Sequence, residues 1–239
     1  MPEPKRWWIV GASEGLGRAL AHRLDAEGAS LILSARNAER LDSLAAELRN
    51  ARTLQMDVTD AASVARAVQE AGEVDGIVYS VGLYEPMSAR DWNTDAAVAL
   101  AEANFIGALR VLGGIVPAMC ARGAGHVVVI GSLAGFRGLP GAIGYGASKA
   151  ALMHLAENLR ADLRGSGVRV QLVNPGFIDT RLTRKNSFRM PFLMSAEDAA
   201  ARTHRAMQGG RFATSFPALF ALFFRVGSCL PLRVFQALF

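Results

Sequence analysis

Short runs of β-branched and aliphatic residues alternate along the chain with Ala- and Leu-rich stretches whose apolar positions recur at helical spacing. Trp7–Val10, Leu31–Ser34, Thr53–Asp57, Ile77–Ser80, Val127–Ser132 and Val168–Asn174 read as strands. Between them Leu16–Glu27, Ala38–Arg49, Ala61–Ala71, a long stretch from about Asp95 to Met119, and Tyr145–Leu163 read as helices. This alternation predicts an α/β fold, a doubly wound parallel sheet with helices on both faces. Val127-Val128-Val129-Ile130 is apolar throughout, as expected of a strand covered on both sides. Gly28 closes the first helix, and Ser195-Ala-Glu-Asp198 reads as a capping box for a last helix that Gly209-Gly210 ends. No linker interrupts the pattern, so 1–239 reads as one domain, with the segment 212–239 set apart as an apolar C-terminal extension.

Composition narrows the function classes. The chain has 239 residues, 51% hydrophobic and 20% charged, enough apolar material for a sizeable core. Its net charge of +5 is a mild excess on an apolar chain, which argues against nucleic acid as a partner. Two cysteines, Cys120 and Cys229, form neither a metal motif nor a disulfide framework, so no metal is expected and a reducing compartment is. The polar start Met1–Arg6 leads into only four apolar residues, short for a signal-peptide core, and the expected location is cytoplasmic.

Gly11-Ala-Ser-Glu-Gly15-Leu-Gly17 follows the first strand and opens the first helix. Glycines there let a backbone approach a pyrophosphate, while the helix start offers unpaired N–H groups; a purely structural turn is the other account. Arg36, just past the second strand, suits the 2′-phosphate of NADP, where an acidic residue would bind the ribose of NAD. Glu14 opposes that phosphate unless it points away. Asp57 stands where an adenine edge could lie, or where it could cap the next helix.

Tyr145 and Lys149 lie one turn apart on one helix face. A cation beside a phenol lowers its pKa and makes it a usable acid or base. Ser132 ends the fifth strand, and Asn174-Pro175-Gly176 follows the next; carboxyl ends of strands are where doubly wound sheets hold ligands.

With these elements the sequence resembles the short-chain dehydrogenase/reductase family from about Trp7 to Gln208. The match rests on Gly11, Gly15, Gly17, Asp57-Val58, Asn104, Ser132, Tyr145, Lys149 and Pro175-Gly-Phe-Ile-Asp-Thr180. The resemblance implies a seven-stranded Rossmann-type sheet and hydride transfer between a nicotinamide and a carbonyl or alcohol. It implies a catalytic tetrad: Tyr145 as general acid/base, Lys149 lowering its pKa and holding the ribose, Ser132 polarising the carbonyl, and Asn104 supporting a proton-relay water. It also assigns cofactor contacts to Gly11, Ser13, Glu14, Gly15, Leu16, Gly17, Arg36, Asp57, Val58, Gly82, Tyr145, Lys149, Pro175, Gly176, Ile178 and Thr180. Arg36 then points to NADP(H) rather than NAD(H), and a homodimer or homotetramer is expected. Two positions depart from the family pattern: Tyr79-Ser80-Val81-Gly82 replaces Asn-Asn-Ala-Gly, and Val10 replaces the Thr before the first Gly.

Substrate contacts are expected from Leu83–Ala89, Ala134–Ile143 and the segment beyond Gly176. Thr180–Arg189 carries four cations and no anion, reading either as an attractor of acidic substrates or as a solvated loop. The tail from Phe212 holds seven of the twelve Phe; its 13-residue charge-free run is short of the roughly 18 needed to span a bilayer. A lid over a lipophilic substrate, a subunit interface and a helix lying on a membrane surface all remain open for it. A non-catalytic NADP(H)-binding regulator on the same scaffold is the alternative to an enzyme.

Overall fold

A computed structural model describes residues 5–186 and 188–238. Met1–Pro4 of the polar start, Ser187 of the basic segment and the terminal Phe239 lie outside the described residues.

Seven parallel strands form one sheet in the order β3-β2-β1-β4-β5-β6-β7. They are β1 (Arg6–Val10), β2 (Ser30–Ser34), β3 (Ala51–Thr53), β4 (Gly76–Tyr79), β5 (Gly125–Ile130), β6 (Val168–Pro175) and β7 (Ala213–Phe216). Side chains of a strand alternate between faces, and here both sets are apolar. Trp8, Ile32, Ile77, Val127, Val129 and Leu172 face one layer with α3 (Ala61–Ala71), α5 (Gly107–Arg122) and α6 (Ile143–Asp162). Trp7, Ile9, Leu31, Leu33, Val78, Val128 and Val173 face the other, with α1 (Gly15–Ala26), α2 (Ala38–Ala45) and α7 (Ala196–Gln208). Burying one such side chain contributes about 1.5–3 kcal/mol, so the continuous apolar runs leave no solvent-facing alternative for the sheet.

Strand order reverses between β1 and β4, which opens a crevice at their carboxyl ends. The expected third strand, Thr53–Asp57, is regular only at Ala51–Thr53. Beyond it the chain stays beside β2 through Leu54 N–H to Leu33 O and Met56 N–H to Ala35 O, which carries Asp57 to the crevice. Side chains fix the helix starts: Asn37 caps α2, Asp60 caps α3, Asn93 caps α4 (Thr94–Ala101) and Ser195 caps α7. Thus Asp57 does not cap α3; its Oδ1 accepts from Thr59 N and Oγ1 in a local turn.

The expected long helix runs Thr94–Arg122 but is wound as a π-helix over Glu102–Ile106, between α4 and α5. A π segment inside an α-helix frequently marks a functional site, and Asn104 lies within it. By length and composition alone this helix could cross a membrane, yet half of it is buried against the rest of the fold.

The segment 212–239, set apart by composition, packs onto the sheet and its carboxyl end. Its first residues form β7, too short and too polar for a strand signal, and pair with β6 from Leu172↔Ala213 to Pro175↔Phe216. Next come α8 (Ala218–Cys229) and α9 (Leu232–Gln236). Phe235, Phe224 and Ala221 pack with Leu133 in a cluster of their own, against the turn that carries Ser132. Arg137 closes the contact by donating to the carbonyls of Gly227 and Leu230 at the end of α8. Truncating fully buried Phe235 to Ala should cost about 3–5 kcal/mol, seen as a fall in Tm of roughly 6 °C or more. An unchanged Tm on thermal denaturation contradicts this placement of the tail.

Candidate active site

The phosphate-binding turn is shaped by two close approaches. Gly11 has φ +90°, and a Cβ on it would lie 2.9 Å from the backbone of Ser80 and Val81. A Cβ on Gly17 would lie 2.1 Å from Gly11 O, so only glycine lets α1 start this close to β1. No side chain caps α1, although Glu14 occupies its N-cap. The helix therefore presents its first N–H groups and the positive end of its dipole to the crevice, a fit for a pyrophosphate.

The crevice widens into one cleft of about 390 Å³. Gly11, Ser13, Glu14, Gly15, Leu16, Gly17, Arg36, Asp57, Val58, Gly82, Pro175, Gly176, Ile178 and Thr180 line it, together with Ser132, Tyr145 and Lys149. Every expected cofactor position therefore reaches the same space. The fourth tetrad residue, Asn104, is fully buried behind the wall.

Ser132 follows β5 and caps a short turn, its Oγ accepting from Ala134 N at 3.1 Å. Burial holds the Tyr145 pKa above its ordinary value; nearby Tyr84 adds to this, and the Ser132 hydroxyl opposes it. The adjacency of Tyr145 and Lys149 predicted the opposite direction. The reason for the difference is burial of the phenol, while the Lys149 ammonium donates to Ile130 O at 3.0 Å, at the end of β5, and to Val81 O at 3.2 Å, after β4. Burial lowers the Lys149 pKa to about 8.

Asn104 is tied to the surrounding chain through its side chain. Its Nδ2 donates to Leu83 O at 2.9 Å and Ser148 Oγ at 3.0 Å, and its Oδ1 accepts from Leu83 N at 2.7 Å. Its side-chain amide is thus satisfied by protein groups. The residue clamps the loop after β4 to α6, where Ser148 Oγ in turn donates to Tyr145 O at 2.8 Å. Tyr79, at the departure from the family pattern, supplies another tie: its buried hydroxyl donates to Ala103 O at 2.6 Å, joining β4 to the π segment.

Sequence reasoning singled out the loop Leu83–Ala89 without its key residue. Tyr84 meets the Tyr145 ring edge-on at 5.0 Å and donates to Asn186 Oδ1 at 2.6 Å. An aromatic one residue past Gly82-Leu83 was the available signal. Beyond the two tyrosines the cleft is walled by Leu83, Leu133, Leu139, Phe177, Phe188, Phe220 and Phe224. Of the tail residues, Phe220 and Phe224 face the cleft, while Leu219, Leu222 and Val226 of the same helix face solvent. Asp179 and Glu85 pair with Arg184 and Lys185 of the basic segment.

The depressed Lys149 pKa has a signed consequence. Below pH 8 the ammonium is protonated folded and unfolded, so its burial penalty is present in full. As pH rises from about 8 towards 10.5 the folded state loses the proton first, and stability rises relative to a chain lacking the group. The Tm of wild type minus that of Lys149→Met should therefore increase between pH 7 and pH 10. A difference independent of pH contradicts the buried ammonium.

Comparison with known proteins agrees with this geometry. A family model described as short chain dehydrogenase matches residues 5–190. An uncharacterized oxidoreductase of Myxococcus xanthus is 37% identical over 237 residues, 96% of this chain and 94% of that protein. Sulfoacetaldehyde reductase 2 of Chromohalobacter salexigens is 39% identical over 184 residues, 73% of each chain. The crystal structure of a short chain dehydrogenase from Burkholderia cenocepacia in complex with NADP superposes with a TM-score of 0.87 at 26% identity, covering 98% of this chain and 97% of that one. Matched along most of its length in sequence and nearly all of it in fold, the chain belongs to the short-chain dehydrogenase family of oxidoreductases.

Proposed function

We propose that the protein is an NADP(H)-dependent oxidoreductase that interconverts a lipophilic ketone or aldehyde and its alcohol. The observation that carries the reading is that Ser132, Tyr145 and Lys149 line the same cleft, where its glycine-rich, Arg36-bearing end meets its aromatic end. A bound nicotinamide nucleotide supplies the hydride. The turn Gly11–Gly17 and the uncapped start of α1 would hold its pyrophosphate, Arg36 its 2′-phosphate, Asp57 and Val58 its adenine end, and Lys149 its ribose. The complex of the similar Burkholderia cenocepacia dehydrogenase with NADP supports that choice of nucleotide.

Ser132 then donates to the substrate oxygen and stabilises the charge that develops on it. Tyr145 donates a proton to the same oxygen. The protonated phenol is the form that donates in the reductive direction, and the phenolate accepts that proton back in the oxidative one. Asn104 positions rather than reacts, holding the loop after β4 and, through Ser148, the first turn of α6. Phe177, Phe188, Phe220 and Phe224 exclude water and favour a bulky apolar substituent. The named substrate of the Chromohalobacter relative, sulfoacetaldehyde, is small and anionic; the aromatic wall favours a different class here.

NADPH oxidation with carbonyls graded from small and anionic to bulky and apolar tests this reading. Bulky apolar ketones should give the highest kcat/KM, and Tyr145→Phe should lower it by about 10²-fold or more while nucleotide binding persists. Phe220→Ala should erode the preference for bulky over small substrates by roughly tenfold. Preference for anionic substrates, or turnover undiminished in Tyr145→Phe, contradicts the proposal.

A further inference from the structure

The nucleotide end of the cleft gathers three guanidinium groups, Arg36, Arg40 and Arg181, about the turn that bears one carboxylate, Glu14. At the N-cap of a helix a carboxylate ordinarily folds back onto its own N–H groups. Glu14 does not. Its oxygens are shared between two other elements: Oε1 pairs with Arg40 Nη1 of α2, and Oε2 with Arg181 Nε at 3.0 Å, in the segment after β6. Arg36 makes no ion pair among the described residues, and its main chain is fixed by Gln55 Nε2 donating to Arg36 O at 2.8 Å.

The Glu14–Arg40 pair is half open to solvent, with 46% of the Arg40 side chain and 35% of that of Glu14 exposed. Such pairs are weak and readily exchanged. A phosphate dianion carries more charge than a carboxylate and accepts a guanidinium fork in two hydrogen bonds. Arg36 stands just before Asn37, the N-cap of α2, and Arg40 in the first turn of that helix, and both line this side of the cleft.

We propose that Glu14 is a resident counter-ion that stands in for the 2′-phosphate. It holds Arg40 at the rim when no nucleotide is bound and releases it to the ribose phosphate of NADP(H), keeping Arg181 as its own partner. The proposal rests on the NADP(H) reading above and adds to it that preference is set by competition, with Arg36 and Arg40 favouring the phosphate and Glu14 opposing it. Because Arg181 remains paired, the exchange strands no carboxylate and leaves the segment after β6 tied to the phosphate-binding turn.

The test is calorimetric binding of NADP⁺ and NAD⁺, without turnover, to wild type, Glu14→Gln, Arg40→Met and the double variant. Losing Glu14 also frees Arg181, which acts on both nucleotides alike, so the readout is the ratio of the two affinities. Glu14→Gln should raise the preference for NADP⁺ by about 2–5-fold, the range of a surface ion pair. Arg40→Met should lower it, and the double variant should show no gain from the glutamine. The preference should shrink with added salt. An unchanged ratio in Glu14→Gln, or a gain that survives in the double variant, overturns the proposal while leaving the nucleotide assignment standing. Wild type binding neither nucleotide, or binding both equally with Arg36→Ala having no effect, instead overturns the NADP(H) reading beneath it.

Discussion

A single buried ammonium holds the working edge of this molecule together. Lys149 donates to Ile130 O at the end of β5 and to Val81 O in the loop after β4, fastening α6 to two strand ends across the crevice. An ammonium taken out of water needs such acceptors, and burial still depresses its pKa to about 8. Everything chemical is arranged around that cost: Tyr145 one turn earlier on the same helix, Ser132 two residues beyond Ile130, and the glycine turn against Ser80 and Val81. The strong sheet behind it, apolar on both faces, lets such an unfavourable group be kept in place.

The second constraint is the path of the loop after β4. Asn104 takes both main-chain groups of Leu83, and Tyr79 takes Ala103 O at the π segment. These ties join the loop, the π segment and α6 into one unit, so Tyr84 stands edge-on against Tyr145 and narrows the passage between the polar and aromatic ends. The tail closes the far side. Its attachment through Phe235, Leu133 and Arg137 is to the very turn that Ser132 caps, which couples the aromatic wall to the position of the Ser132 hydroxyl.

Much of this was legible in the sequence because it rests on local rules. The alternation of strands and helices, the glycine turn, the caps at Ser195 and Gly209, and the Ser132, Tyr145 and Lys149 spacing are set by neighbours a few residues apart. What escaped depends on distant contacts. The strand Ala213–Phe216 has little β signal and forms because β6 offers an open edge. The direction of the Tyr145 pKa follows from how deeply the fold buries the phenol, which i,i+4 spacing does not determine. The partners of Asn104 lie 21 and 44 residues away, and the pairing of Glu14 with Arg181 spans 167. The family pattern located Glu14, Asn104, Tyr145 and Lys149, while their bonding had to be read from the structure.

The central claim is that one continuous cleft brings a nicotinamide and an apolar carbonyl together over Tyr145. Its most direct test follows the transferred atom: NADPH deuterated at C4 of the nicotinamide is incubated with the protein and a bulky aryl ketone, and the alcohol is examined by mass spectrometry and NMR. The account predicts deuterium on the carbinol carbon of a single enantiomer, formed only with active protein. Tight NADPH binding with no labelled alcohol from any apolar carbonyl would contradict it and leave a nucleotide-binding protein without this chemistry.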